Sequence, residues 1–321
     1  MHTTKKRMIE GLEAIGVRTG DCLAVGASYR SLGGPGPEAC IDALLDAVGP
    51  GGTVMMNTHT RFFLPAEVRL GWTEYVFDAG RTPCITGIVA ETFRRRPGAV
   101  RSRHPAFSVA AIGRHARFLT EGHDETAASY LPFERLASLD GKYLAVGIGD
   151  KLAGFRHSAQ QVAGLLDVVP RPRAVLYIDR FGNRRTFLFS DRGGCTRRLP
   201  ELVSVLRRQG LVTEGCVGRA PSILVPARQS LASMVAVLRE HPEINVCSDP
   251  LCYWCRELER RLHLYGRIDS PALFQRNRAV RHVLSAANRV RELDNGIVAG
   301  ARLLLRRGLR MRPARQGRRR Y

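Results

Sequence analysis

The feature that most constrains the fold is a strand, loop, helix and strand in succession near the start of the chain. A short apolar run at 22–26 is followed by a glycine-rich loop at 27–36, a helical segment at about 37–48 and a second apolar run at 53–58. Two strands joined through one helix favour a right-handed parallel unit. We therefore predict an α/β fold with a parallel-sheet core, helices on both faces and a C-terminal α+β extension.

The glycine-rich loop is a candidate for binding phosphate. A strand followed by such a loop and a helix exposes backbone N–H groups beside the positive end of the helix. The loop has neither the spaced glycines of a dinucleotide-binding fingerprint nor the Gly-Lys-Ser/Thr of a P-loop. It therefore favours no particular phosphorylated cofactor.

A further apolar run at 143–148 ends in Gly149 and Asp150, and His157 follows. A buried strand of this kind delivers an imidazole, after a short loop, to the C-terminal edge of a sheet, where α/β enzymes place their chemistry. The alternative is a structural histidine with its hydrogen bonds satisfied.

Length and composition indicate a globular protein. The chain has 321 residues and 44% hydrophobic content, enough for one large core or for a core and a smaller lobe. It has no apolar run long enough to span a membrane and no apolar signal core near Met1, so the expected location is the cytoplasm. Eight cysteines in a chain of this length fit reduced thiols better than a disulfide framework.

The charge pattern suggests an anionic partner. The formal net charge is +21, nearly all of it from arginine, although a biased genome would also produce such a composition. We predict a core at 1–165, an α+β second lobe at 166–269 and a basic helical tail at 270–321. One interpretation is that the tail binds an anionic membrane surface, which would place the protein at the inner face of a membrane. The alternative is that the tail is a frayed, solvated end of the chain. A nucleic-acid partner is less favoured, because no recognisable binding module accompanies the charge.

Three thiols lie within nine residues at Cys247, Cys252 and Cys255. This density is typical of a structural zinc site or an iron–sulfur centre, and unligated reduced cysteines are the alternative. The candidates for a fourth ligand are Cys195, Cys216, His241 and His263.

Many short segments, in one order over residues 10–165, together resemble the aminoglycoside 3-N-acetyltransferase family. They are 16–21, 30–33, 41–45, 48–53, 55–58, 89–94, 101–105, 108–113 and 139–142. The resemblance implies an antibiotic-resistance acyltransferase that binds acetyl-CoA and transfers its acetyl group to an amine.

The resemblance also implies catalytic residues. His157 falls at the position of the family's general base, and Gln160 falls where the family has the Glu that orients it. Gln160 cannot stabilise an imidazolium by charge, so another carboxylate such as Asp150 is a candidate substitute. Gly26 occupies the position of a histidine usual in the family. These departures make a catalytically impaired relative, which binds CoA or a partner without turnover, the alternative to an active enzyme.

The phosphates of CoA need cations and hydroxyl groups, and charge-assisted hydrogen bonds are the strong kind. The candidates are Arg30, Ser31, Thr58, Arg101, Ser102, His104 and Ser108. Capping of turns is the alternative role for Ser102 and Ser108. Backbone N–H groups between Ala27 and Gly34 are candidates for stabilising the oxyanion of the reacting thioester. The acceptor is an aminoglycoside or an amino sugar. The charge of +21 makes a less cationic amine, such as an amino sugar carrying a phosphate or nucleotide, at least as good a candidate as an antibiotic.

Overall fold

The computed structural model describes residues 3–166, 168, 171–190 and 197–262, and the predicted basic tail at 270–321 lies outside this range. No helix in that described part is both long enough and apolar enough to cross a bilayer.

The elements alternate between helix and strand through the first part of the chain. In order they are α1 (Lys5–Ala14), β1 (Cys22–Ala27), α2 (Tyr29–Leu32), α3 (Pro37–Val48), β2 (Thr53–Asn57), α4 (Pro65–Arg69), β3 (Val76–Phe77), α5 (Ile88–Arg94), β4 (Val100–Arg101), β5 (Val109–Gly113), α6 (Ala116–Thr120), α7 (Leu131–Ser138) and β6 (Lys142–Val146). The later elements are α8 (Phe155–Val162), β7 (Pro172–Ile178), β8 (Arg184–Ser190), α9 (Leu199–Arg208), β9 (Thr213–Val217), β10 (Ala220–Pro226), α10 (Ala227–Glu240), a 3₁₀ turn (Pro242–Asn245) and α11 (Tyr253–Arg261).

The main sheet has seven strands in the order β4-β5-β2-β1-β6-β10-β9. Its centre, β2-β1-β6, is parallel, with Leu23 opposite Val54 and Val25 opposite Leu144. This confirms the predicted α/β fold with a parallel core. The flanking strands β5 and β10 run antiparallel to β2 and β6, so the complete sheet is mixed.

Helices cover both faces of this sheet, as predicted. Leu23 and Val25 of β1 pack with Met8 of α1 and Ile41 of α3 on one face. The alternate residues of β1 face the other side, where Phe133 of α7, Phe155 of α8 and Met234 of α10 are buried. Full burial of each large apolar side chain contributes about 1.5–3 kcal/mol, so these two layers fix the frame that carries the polar edge.

A second sheet, in the order β3-β7-β8, contains a hairpin, which the apolar segments 174–177 and 186–189 on either side of a turn at 179–184 predict from the sequence. Strands β7 and β8 pair antiparallel, with Ala174 opposite Leu188. The segment 59–83 has no clean periodicity, which predicts a long loop, yet it contains both α4 and the short strand β3, which pairs parallel to β7. The predicted division at residue 165 stays a prediction, and both sheets include strands from each side of it.

Candidate active site

The candidate site lies where the three parallel strands end. The carboxyl ends of β1, β2 and β6 meet at one edge of the sheet, as expected for parallel strands. Two side chains hold the loop after β6 there, because Asn57 Nδ2 and the Tyr143 hydroxyl both donate to the Ala153 carbonyl, at 2.9 and 3.0 Å. The backbone N–H of Ser28 donates to the Val146 carbonyl at 2.9 Å, which fixes the glycine-rich loop beside it.

Helix α8 carries the predicted base. His157 lies in its first turn, where a loop residue was expected. Gly154 begins the helix with φ +83°, and a Cβ there would lie 2.6 Å from the Phe133 ring and 2.9 Å from Asn57 Nδ2. Phe155 is fully buried and stacks on Tyr143 at 5.6 Å between ring centroids. His157, two residues further on, is partly exposed.

The His157 ring has three neighbours. Its Nδ1 lies 2.7 Å from Gln160 Oε1, one helical turn further on, and its face stacks on Tyr130 at 5.3 Å. Arg156 Nη2 lies 3.4 Å from Nδ1 and 3.2 Å from Nε2. Because these distances are nearly equal, this guanidinium nitrogen is aligned with neither ring lone pair, and it acts on the ring chiefly through its charge.

The surroundings keep this imidazole neutral. Burial and the neighbouring Arg156 charge lower the pKa of His157 to about 3, and the hydrogen bond to Gln160 opposes this only in part. A neutral imidazole retains one nitrogen lone pair, so the ring is available as a proton acceptor throughout the neutral pH range.

The predicted orienting residue, Gln160, does contact the base, and it makes a second contact. Its Nε2 donates to Asn245 Oδ1 at 2.7 Å. Asn245 follows α10 and is 85 residues from Gln160, and no local pattern in the sequence indicated it.

Sequence reasoning also missed His59, which follows β2 just as His157 follows β6. The centroid of its ring lies 5.4 Å from that of Phe107, and the Phe107 centroid lies 5.3 Å from that of Tyr130. Tyr130 in turn stacks on His157, so a row of aromatic rings connects the two histidines. Burial and the nearby Arg101 lower the pKa of His59 to about 4. The signal that singled out His157, an imidazole shortly after a buried strand, was also present here.

Asp150, the predicted substitute carboxylate, is engaged elsewhere. Both of its oxygens accept from the Arg207 guanidinium, at 2.7 and 2.8 Å. The partner that holds His157 Nδ1 is the Gln160 amide, so the arrangement gives Asp150 no orienting role.

Three of the predicted CoA ligands form an internal network. Arg101 donates to the Thr58 carbonyl at 2.7 Å and the Thr82 carbonyl at 2.6 Å, and its Nε lies 3.2 Å from the hydroxyls of Thr58 and Ser108. The Ser108 hydroxyl donates to the Thr58 carbonyl at 2.7 Å. These contacts give all three residues a structural role, because they tie β2, β4 and β5 together. They do not support the predicted contact with CoA phosphates.

Ser102 and His104 are buried as well. The Ser102 hydroxyl accepts from the Val109 N–H at 2.9 Å and lies 3.0 Å from His123 Nδ1. His104 Nδ1 accepts from the backbone of Phe107 at 3.1 Å. For Ser102 this is the turn-stabilising alternative, although Ser102 also lines a cavity of about 300 Å³ together with Arg101 and Arg103. The predicted contact of Ser102 and His104 with CoA stays a prediction.

Arg30 and Ser31 lie in the glycine-rich loop at the strand edge. Arg30 is exposed, whereas the Ser31 hydroxyl donates to the Gly147 carbonyl at 3.0 Å. The N–H groups of Ser28, Ser31 and Leu32 already donate within the protein, which leaves fewer of the predicted oxyanion donors in this loop.

The space beside Gly26 is filled. A Cβ at this position would lie 2.8 Å from the Tyr143 hydroxyl and 2.8 Å from the Ile148 side chain. Any larger residue here, including the histidine usual in the family, would displace the tyrosine that supports the Ala153 carbonyl.

The predicted metal ligands do come together. The sulfur atoms of Cys247, Cys252 and Cys255 lie within 4.8 Å of one another. Cys252 is the N-cap of α11 and Cys255 lies in its first turn, and the backbone N–H of Cys247 donates to the Cys255 sulfur at 3.1 Å. Helix N-termini and N–H donors favour thiolates, so the three residues suit a soft metal ion.

Of the candidates for a fourth ligand, Cys195 and His263 lie outside the described residues. Cys216 is exposed on β9, and His241 Nδ1 lies 3.2 Å from Glu243.

A mixed sheet with a parallel centre and an imidazole near the ends of its parallel strands is the architecture of an α/β enzyme. The model of the family "Aminoglycoside 3-N-acetyltransferase" matches residues 25–239. Aminoglycoside N(3)-acetyltransferase IV from Salmonella is 31% identical over 75% of this chain and 89% of the relative.

Comparison with solved structures leads to the same family. The apoenzyme of aminoglycoside acetyltransferase AAC(3)-IVa superposes with a TM-score of 0.68 at 27% identity, covering 81% of this chain and 98% of the other. AAC-IIIb in binary complex with CoASH gives a TM-score of 0.65 at 27% identity, covering 75% and 97%. The chain belongs to the aminoglycoside 3-N-acetyltransferase family and is an acyltransferase.

Proposed function

We propose that this chain transfers the acetyl group of acetyl-CoA to an amine of an aminoglycoside or amino sugar, with His157 as the general base. The observation that carries the proposal is the neutral, partly exposed imidazole held through Nδ1 at the ends of the parallel strands. Family membership supports the reaction class, and the neighbour that binds CoASH supports the cosubstrate.

The geometry accounts for the proton transfer. The acceptor nitrogen attacks the thioester carbonyl, the new C–N bond forms, the C–S bond breaks, and CoA leaves as a thiolate that takes up a proton. His157 accepts the proton of the attacking amine at Nε2 while Gln160 Oε1 accepts from Nδ1–H. Gln160 orients the ring in this way but adds no charge to stabilise the imidazolium.

The charge distribution bears on the acceptor. Residues 263–321 contain fifteen arginines and three carboxylates, which is more than half of the formal +21. The remainder of the chain therefore repels a polycationic aminoglycoside less than the total suggests. Sisomicin, the ligand of the similar enzyme AAC-VIa, is the first acceptor to test, against an amino sugar that carries a phosphate.

A thiol-release assay with acetyl-CoA tests the proposal. We expect turnover with one of these acceptors and a loss of about 10²–10⁴-fold in kcat for His157→Ala. His115→Ala is the control, because it removes another partly exposed imidazole at the start of a different helix. Binding of CoA without thiol release from any acceptor would favour the catalytically impaired alternative. Equal activity of His157→Ala and wild type would refute the assignment of the base.

We also propose that Cys247, Cys252 and Cys255 hold a structural metal, either zinc or an iron–sulfur centre. The convergence of three sulfurs within 4.8 Å at a helix N-terminus supports this. Elemental analysis of the purified protein for zinc and iron distinguishes the two metals, and a metal-free protein with three titratable thiols would refute the proposal.

For the basic tail we propose association with an anionic membrane surface, on the strength of its arginine content alone. Truncation after Asp294 should abolish binding to vesicles containing anionic lipid and leave CoA binding unchanged. Retention of vesicle binding by the truncated protein would contradict the proposal, and binding to nucleic acid in its place would favour the other anionic partner.

A further inference from the structure

Gln160 lies between two polar partners in the interior. It is 1% exposed, its Oε1 lies 2.7 Å from His157 Nδ1, and its Nε2 donates to Asn245 Oδ1 at 2.7 Å. Asn245 is itself 5% exposed. The side chains of His157, Gln160 and Asn245 therefore form one continuous chain of hydrogen bonds that starts at the proposed base.

We infer that Asn245 is a positioning residue for His157 and acts through the Gln160 amide. The inference rests on the proposed function. The terminal torsion of glutamine has two nearly equivalent orientations, so helix α8 alone does not determine which end of the amide faces the imidazole. Asn245 favours one of the two, because it presents Oδ1 to Gln160 and Gln160 supplies the donor Nε2.

The amide orientation sets the tautomer of the base. With Nε2 of Gln160 turned to Asn245, Oε1 faces His157 and accepts from Nδ1–H, which leaves the lone pair on Nε2 for the acceptor amine. The reversed amide would present a donor to Nδ1 and favour the tautomer protonated at Nε2. That tautomer has no lone pair on the nitrogen away from Gln160.

The backbone around Asn245 is well anchored. Asn245 ends the 3₁₀ turn after α10, and the next residue, Val246, is fully buried. The N–H of Val246 donates to the Glu243 carbonyl at 3.0 Å, and the N–H of Cys247 donates to the Cys255 sulfur at 3.1 Å. The thiol cluster and the core thus hold the residue that orients the Gln160 amide.

The test compares Asn245→Ala, Asn245→Asp and Val246→Ala in the full-length protein. We expect Asn245→Ala to lower kcat about three- to tenfold, the effect of one lost hydrogen bond, with KM for acetyl-CoA and for acceptor unchanged. Asn245→Asp keeps the acceptor oxygen and should restore most of kcat. Val246→Ala removes packing in the same segment, so it should lower the melting temperature and leave kcat unchanged.

Nitrogen-15 NMR of the His157 ring supplies a readout that a merely structural role would not move. We expect the Nδ1–H tautomer in the wild type and in Asn245→Asp, and a mixture of tautomers in Asn245→Ala. An unchanged tautomer and kcat in Asn245→Ala, or an equal loss of kcat in both Asn245 variants, would overturn the inference. Full activity of His157→Ala would instead overturn the proposed function, so the two failures are distinguishable.

Discussion

Placing a carboxylate beside the proposed base, His157, should change the pH dependence of this enzyme. In Gln160→Glu, one carboxylate oxygen takes the place of Oε1, 2.7 Å from His157 Nδ1. Asn245 can turn its amide to donate Nδ2 to the other oxygen, and Nδ2 has no hydrogen-bond partner among the described residues. The substitution therefore fits the existing space, and it exchanges one Asn245 atom without a partner, Nδ2, for another, Oδ1.

The expected size of the effect follows from the geometry. A carboxylate centre and an imidazolium roughly 4 Å apart attract each other by about 4 kcal/mol at an effective dielectric constant of about 20, or about 3 pKa units. In the wild type, burial and Arg156 lower the pKa of His157 to about 3. In Gln160→Glu the carboxylate stabilises the protonated imidazole, so the pKa of His157 rises. A rise of about 3 units is the upper limit, because the buried carboxylate also loses hydration.

Profiles of kcat/KM against pH measure this shift. In the wild-type profile, we expect no change of kcat/KM from titration of His157 between pH 5 and 8. In the Gln160→Glu profile, kcat/KM should rise with pH in this range or just below it, as the imidazolium loses its proton. The plateau kcat of Gln160→Glu should be higher than that of the wild type, because the base is stronger. The control is Gln161→Glu, which adds the same charge one residue further along α8, where the side chain contacts Glu134 and the Tyr130 N–H and has no hydrogen bond to the imidazole among the described residues. A wild-type His157 that titrates near pH 6.5 by NMR would refute the reasoning, as would identical profiles for Gln160→Glu and wild type.

Three further outcomes follow from the same contacts. Gly26→Ala should destabilise the protein by about 1–3 kcal/mol, because its Cβ meets the Tyr143 hydroxyl at 2.8 Å; an unchanged melting temperature in calorimetry would contradict this. Asp150→Asn weakens a partly exposed ion pair with Arg207, so it should lower the free energy of unfolding in urea by at most about 1 kcal/mol. Its kcat should stay within about twofold of the wild-type value, and a large loss of kcat would instead indicate a catalytic role for Asp150. Cys255→Ser, or treatment with a chelator, should remove the proposed metal, as measured by elemental analysis, and lower the melting temperature, as measured by circular dichroism. An unaltered melting temperature would argue against a structural metal.

The local framework could be predicted from the sequence. The helix-and-strand succession from residue 22 to 57 gave the parallel unit, because apolar periodicity and glycine turns act within a few residues of each other. The hairpin at 172–190 was visible for the same reason. The resemblance singled out His157 and Gln160 together, since they lie three residues apart on one helix turn.

The partners of the buried polar side chains depended on the tertiary structure. Arg101 was an obvious cation for a phosphate, yet packing of β4 against β5 directs it into the protein, where backbone carbonyls take its donors. Asn245 carries no local signal, because its contact with Gln160 joins residues 85 positions apart. Sequence patterns specify which face of an element is apolar, whereas the partner of a buried polar group depends on how distant elements pack. The position of the proposed base was therefore determined locally, whereas the fold determined which residues contact it and which cations remain for a ligand.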